Sequence, residues 1–202
     1  GASLDGTFRG GADSDTVSFA TTTNSVTVTL TAGSATGYAG TVAAITGGFV
    51  DVDNLVGSSV SGDTLSGLGV DSIWTINTTN SYSNMTDSVS FSSFEMLNGG
   101  SGTDAFNIST AETTSLLGNG GDDAFNFLTD AAALTGSVSG GTDSNSLSFS
   151  GLTAVAADVV LTGNTVSGFA GTAASLVSGG FTGISLLAGG GSASDTLTGQ
   201  NV

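Results

Sequence analysis

An internal repeat is the feature that most limits what this chain can fold into. The segment GGADSDTVSF, starting at Gly10, returns as GGTDSNSLSF starting at Gly140. Thr36 to Phe49, TGYAGTVAAITGGF, returns as SGFAGTAASLVSGGF from Ser167 to Phe181, and GDTLSG from Gly62 returns as SDTLTG from Ser194. The offset begins at 130 residues and drifts to 132, and Leu4, Gly6 and Gly10 already map onto Leu134, Gly136 and Gly140. Residues 1–130 therefore form one unit, and 131–202 form a partial second unit continuous with the first. Since the chain begins and ends inside the pattern, it reads as a window on a longer array. Repeats of this kind bury their apolar faces against each other, so each copy needs a neighbour.

A shorter cadence runs inside the long one. DTVSF, DTLSG, DSIWTI, DSVSF, DAFNI, DAFNF, NSLSF and DTLTG start at Asp15, Asp63, Asp71, Asp87, Asp104, Asp123, Asn145 and Asp195. Apolar residues two apart, such as Phe106 and Ile108, share one face of a strand. The spacings of 16, 17, 19 and 22 residues from Asp71 to Asn145 suggest one turn of a stacked coil each. A second motif places Leu six residues after Phe and Gly two further on, at Phe49, Leu55 and Gly57, at Phe91, Leu97 and Gly99, and at Phe181, Leu187 and Gly189. It reads as strand, glycine corner, strand, because glycine turns a corner at positive φ without steric cost. The expected fold is all-β, a right-handed parallel β-solenoid with Gly-rich corners. Phe91, Phe106, Phe125 and Phe149 are expected in one core. Only Thr153 to Val160 and Thr172 to Val177 have weak helical character, and both carry β-branched residues between glycines.

Composition removes whole classes of function. Seventeen acids face one base, Arg9, and there is no Lys, His, Cys or Pro. A net charge of −16 leaves nothing to neutralise phosphates, so nucleic acid is excluded as a partner, and anionic membranes with it. No stretch approaches the ~20 apolar residues of a membrane span. Without His, Cys or Lys, general acid–base and covalent catalysis lack their usual groups, and the chain is expected not to be an enzyme. The carboxylate pairs Asp13 and Asp15, Asp51 and Asp53, and Asp122 and Asp123 all fall in repeat or turn motifs. Trp74 and Tyr82 could stack a sugar, but DSIWTI puts Trp74 within the strand pattern.

The run GGSGTDAFN, Gly99 to Asn107, follows the glycine-rich nonapeptide of hemolysin-type, or RTX, calcium-binding proteins, and GNGGDDAFN, Gly118 to Asn126, keeps most of it. The whole unit also resembles repeats of very large bacterial surface proteins. The resemblance implies calcium held between successive turns, with Asp104 and Asp123 as ligands and Gly100, Gly102 and Gly121 offering carbonyls. Departures are clear: tandem nonapeptides are missing, Asp13 stands where a glycine belongs, and Asn145 replaces the key aspartate. The alternative role for these acids is to cap backbone N–H groups, as Asx-turns do.

The expected function is that of an extracellular or cell-surface structural segment, a calcium-stabilised rod, filament or surface layer. Its partners would be further copies of itself, in a covalent array or head to tail. The alternatives are the spacer of a bacterial adhesin and the RTX-like tail of a secreted hydrolase.

Overall fold

A computed structural model describes residues 3–199. Those residues form an all-β structure without a helix, in two mostly parallel sheets of 14 and 9 strands, neither closed on itself. The chain steps between the sheets. Met96–Gly100, Ser115–Asn119 and Val138–Gly141 lie in the larger sheet, and Asp104–Ile108, Ala124–Phe127 and Ser146–Ser148 in the smaller.

Period-two alternation is what makes this packing work. Each of these strands shows one face to the core and one outward, and parallel pairing keeps like positions in register. In the larger sheet Leu65, Leu97, Leu116, Val138 and Phe181 stand opposite one another from strand to strand. In the smaller sheet the matching column is Trp74, Phe106, Phe125, Leu147 and Leu187. All ten belong to or pack on one hydrophobic core, and only Leu187 is less than fully buried. Each such side chain contributes roughly 1.5–3 kcal/mol by leaving water. The rings of Phe106 and Phe125 stack at 5.0 Å and those of Trp74 and Phe106 at 5.6 Å, so the register aligns aromatic faces as well as area. Phe91, Phe106, Phe125 and Phe149 are all in this core, as their alternation predicts.

Antiparallel excursions of two kinds, three in all, interrupt the parallel order. Thr27–Ser34, Gly37–Val42 and Ile45–Val52 form a three-strand meander in the larger sheet, and Asp158–Thr165, Gly168–Ala173 and Val177–Ile184 repeat it. The bulge after Leu30 recurs after Leu161, so even the irregularity belongs to the unit. A second meander, Ser72–Ile76, Ser81–Ser83 and Ser88–Ser92, lies in the smaller sheet. Each meander lengthens its own sheet by two strands, and the two compensate. From Phe8–Arg9 to its repeat equivalent Val138–Gly141 the larger sheet advances seven strands. From Thr16–Ser18 to its equivalent Ser146–Ser148 the smaller sheet also advances seven. Without the second meander the sheets would fall out of step by two strands, about 10 Å, and the facing rows would lose each other.

The meander corrects one expectation. Asp71, Asp87 and Asp104 do not mark successive turns, because Ser72–Ile76 pairs directly with Asp104–Ile108 while Ser88–Ser92 pairs with Asn54–Val56. The parallel steps in the smaller sheet are Trp74 to Phe106, Phe106 to Phe125 and Phe125 to Leu147. The two weakly helical stretches are bends and a short turn running into strands, as their β-branched residues and flanking pairing favour.

Candidate functional site

The corners carry a column of acids that the repeat places at one position. Asp63, Asp104, Asp123 and Asn145 are fully buried, each following a corner glycine (Gly57, Gly99, Gly118 and Gly140) by five or six residues. The two requirements are linked. A Cβ at Gly118 would lie 2.0 Å from Asp123 Oδ2, and one at Gly99 would lie 2.3 Å from Asp104 Oδ2. Glycine is there so that the carboxyl can fold over the chain.

Once inside, the carboxyls accept backbone amides across the step from strand to strand. Asp104 N–H donates to Asp123 Oδ1 at 2.9 Å, and Asp123 N–H donates to Asn145 Oδ1 at 2.9 Å. Gly100 N–H donates to Asp104 Oδ2 at 2.8 Å, and the Ser72 hydroxyl donates to Asp104 Oδ1. Asp63 Oδ1 accepts from Val26 N–H at 2.7 Å, and its repeat equivalent Asp195 accepts from Ala157 N–H at 2.9 Å. Asn145 also donates to the carbonyls of Thr142 and Gly183. Buried amides at corners fall outside the strand ladders, so these side chains satisfy groups that would otherwise cost free energy.

Among the described residues no cation neutralises the column, since Arg9, the only basic side chain, is exposed on an outer strand. Protonation does part of that work. Burial pushes the Asp123 carboxyl up to about 7, with the Asp104, Asp122 and Asp143 carboxylates adding to the rise. Burial also raises Asp104, against the pull of the Ser72 hydroxyl and Gly100 N–H. Asp123 Oδ2 is buried without a hydrogen-bond partner.

The five residues expected to hold calcium thus come together at two adjacent corners, Asp104 and Asp123 inside and the glycines around them. Gly100 lends its carbonyl to Gly120 N–H at 3.2 Å. The Gly102 carbonyl lies 2.2 Å from where a Cβ on Gly121 would sit, and Gly121 has φ +99°, so both close approach and backbone conformation require glycine there. Gly121 N–H donates to Asp143 Oδ2 at 3.2 Å.

An outer row of acids does similar work in solvent, bonding that the sequence did not reveal. Asp71 accepts from Thr103 N–H and Asp122 from Ser144 N–H, each at 2.9 Å. Asp130 gathers three amides, Thr153, Ala154 and Val155, and the Thr153 hydroxyl, which hold its carboxyl well below the usual range. Asp71, at the head of DSIWTI, and Asp122, half of an acidic pair beside a glycine turn, stood out in sequence; Asp130 did not, because its partners lie 23 to 25 residues away.

Fold and corners together define a class: an all-β stack of two mostly parallel sheets with a buried acid–amide column along its corners. No protein family, characterised protein or solved structure matches the chain, so this geometry carries the functional argument.

Proposed function

We propose that the chain is an extracellular structural segment, a right-handed parallel β-solenoid whose stacked units form a stiff rod. One observation carries this reading: both sheets advance by the same seven strands per unit, so a further unit adds onto the last without a change of geometry. The absence of His, Lys and Cys argues for a mechanical role over catalysis. The acidic surface would keep rods apart laterally, and salt would relax that repulsion. Electron microscopy of concentrated protein tests this: end-to-end fibres that bundle on adding salt are expected, and compact particles at all salt concentrations would overturn it.

The partnerless Asp123 Oδ2 favours a second reading of how the corner is neutralised, by Ca²⁺ between Asp104 and Asp123 with carbonyls of Gly100, Gly102 and Gly121. Such an ion wants six to eight oxygens, so it would draw on both corners together. Binding to the folded state alone would stabilise it by mass action. A melting temperature that rises in millimolar calcium, and loses that rise in Asp123→Asn, is expected on this reading. Identical melting in calcium and in chelator would leave the proton as the neutralising species.

A further inference from the structure

Three asparagines outside the acid column carry a chemistry that the corners do not use. Asn77, Asn84 and Asn107 each open an Asn-x-Ser/Thr triplet: Asn77-Thr78-Thr79, Asn84-Met85-Thr86 and Asn107-Ile108-Ser109. Such a triplet accepts a sugar on the asparagine amide nitrogen, and it does so from an exposed loop. The triplet alone does not separate the three; their settings do. Asn107 lies within the strand Asp104–Ile108, paired with Thr75 on one side and Asn126 on the other. Its Oδ1 accepts from Asn126 Nδ2 at 3.0 Å, so the amide belongs to a side-chain ladder along the sheet. Asn84 Oδ1 accepts from Thr86 N–H at 3.2 Å and from Asp87 N–H at 2.8 Å. Its Nδ2 faces the strand Thr27–Ser34, 3.0 Å from where a Cβ on Gly33 would sit, which leaves no room for a sugar ring.

Asn77 is placed differently. It follows Ile76, the last core residue of its strand, and begins the connection to Ser81–Ser83. Its N–H donates to Asn80 Oδ1 at 2.9 Å, and its Oδ1 accepts from Thr79 N–H at 2.7 Å. That is an Asx-turn spanning the triplet itself. An amide with its oxygen committed to the backbone turns its nitrogen the other way. Asn77 Nδ2 makes no hydrogen bond among the described residues. Asn77 is partly exposed, and Thr78 and Thr79 beside it are fully in solvent.

We propose that Asn77 is an N-glycosylation site, the one triplet of the three that the folded protein presents to a transferase. The donor is a glycosyl diphosphate, carried on a nucleotide or on a lipid. The bond from the sugar's anomeric carbon to the diphosphate oxygen breaks, and its electron pair leaves with the diphosphate. A bond from that carbon to Asn77 Nδ2 forms, and the amide gives up one proton to solvent. No oxidant or reductant is needed. A hydrophilic sugar at this turn lies outside the core and displaces no packed side chain. The modification suits an extracellular segment and does not depend on stacking, so its failure would leave the rod reading as it stands.

The test gives the folded full chain to two asparagine glycosyltransferases in turn, one supplied with a nucleotide-linked hexose and one with a lipid diphosphate-linked oligosaccharide. Peptide mass spectrometry is expected to find sugar on the Asn77 peptide with at least one of them, its mass naming the donor. The Asn84 and Asn107 peptides of the folded chain should carry none. Short synthetic peptides of all three triplets, which have no fold to hide them, should all react. Asn77→Gln should remove the added mass. Thr79→Ala keeps the backbone N–H of the Asx-turn, so it should remove the sugar while leaving the melting midpoint unchanged. No sugar on Asn77 of the folded chain, or as much on its Asn107, would overturn the proposal. Synthetic peptides reacting only at the Asn77 triplet would also overturn it, because the selection would then lie in the sequence and not in the fold.

Discussion

At the residue scale, the corner acids show how a nearly uncharged interior accommodates carboxyls. Asp123 titrates at about 7 in the folded protein, against ~3.9 for an unfolded aspartate. Between those values the fold binds a proton that the unfolded chain releases. Stability is therefore full below about pH 4 and falls as pH rises through about 7. Asn145, one step along the column, makes the same amide bond with no charge. Asp123→Asn should thus raise the urea midpoint at pH 8 and flatten its decline between pH 5 and 8, and parallel curves for the two proteins would count against the assignment. Next to this column, Phe106 packs between Trp74 and Phe125, so Phe106→Ala should cost about 3–5 kcal/mol in chemical denaturation by leaving a cavity. The inward direction of Phe106 was legible in DAFNI, where alternation fixes the face. The bonding of Asp123 was not, because its amide partner lies 19 residues away. The aspartates stood out in sequence for their spacing and their likeness to a calcium repeat, and spacing does not reveal that each faces inward over a glycine.

At the scale of elements, the meanders explain where sequence reading stopped. Strands and glycine corners could be read from period two and from the Phe–Leu–Gly motif, and that motif does carry the chain from one sheet to the other, Phe49 to Leu55 and Phe91 to Leu97. Pairing direction is a different matter. Asp71 and Asp87 begin similar strands, yet DSIWTI and DSVSF sit at opposite edges of an antiparallel excursion. The short connection at Asn77–Asn80 and the turn at Asn84–Asp87 decide that, through Asx-type bonds such as Asn77 Oδ1 accepting from Thr79 N–H at 2.7 Å and Asn84 Oδ1 accepting from Thr86 N–H at 3.2 Å. Tyr38 ties the two meanders together: its hydroxyl donates to the Asp87 carbonyl and accepts from Asn84 N–H, both at 3.1 Å. Burial pushes this phenol up to about 12, so it stays neutral and able to donate across the ordinary range. Tyr38→Phe would strand both backbone groups and should destabilise by about 1–3 kcal/mol, read as a shift in urea midpoint with unchanged slope. A shift near zero would mean that the joint depends on ring packing alone.

At the scale of the molecule, the repeat in the sequence and the strand count in the structure make one statement. Residues 1–130 return from 131, and over that interval each sheet moves forward by seven strands. Neither sheet closes on itself among the described residues. On the proposed stacking, a longer array would gain length and nothing else. Seven strands at ~4.8 Å predict about 34 Å of added length per unit. Small-angle scattering of tandem proteins with two, three and four units tests this most directly. The maximum dimension should rise linearly by about 34 Å for each unit at constant cross-section. A maximum dimension that grows only as the weak power of chain length expected of a compact globule would contradict the account.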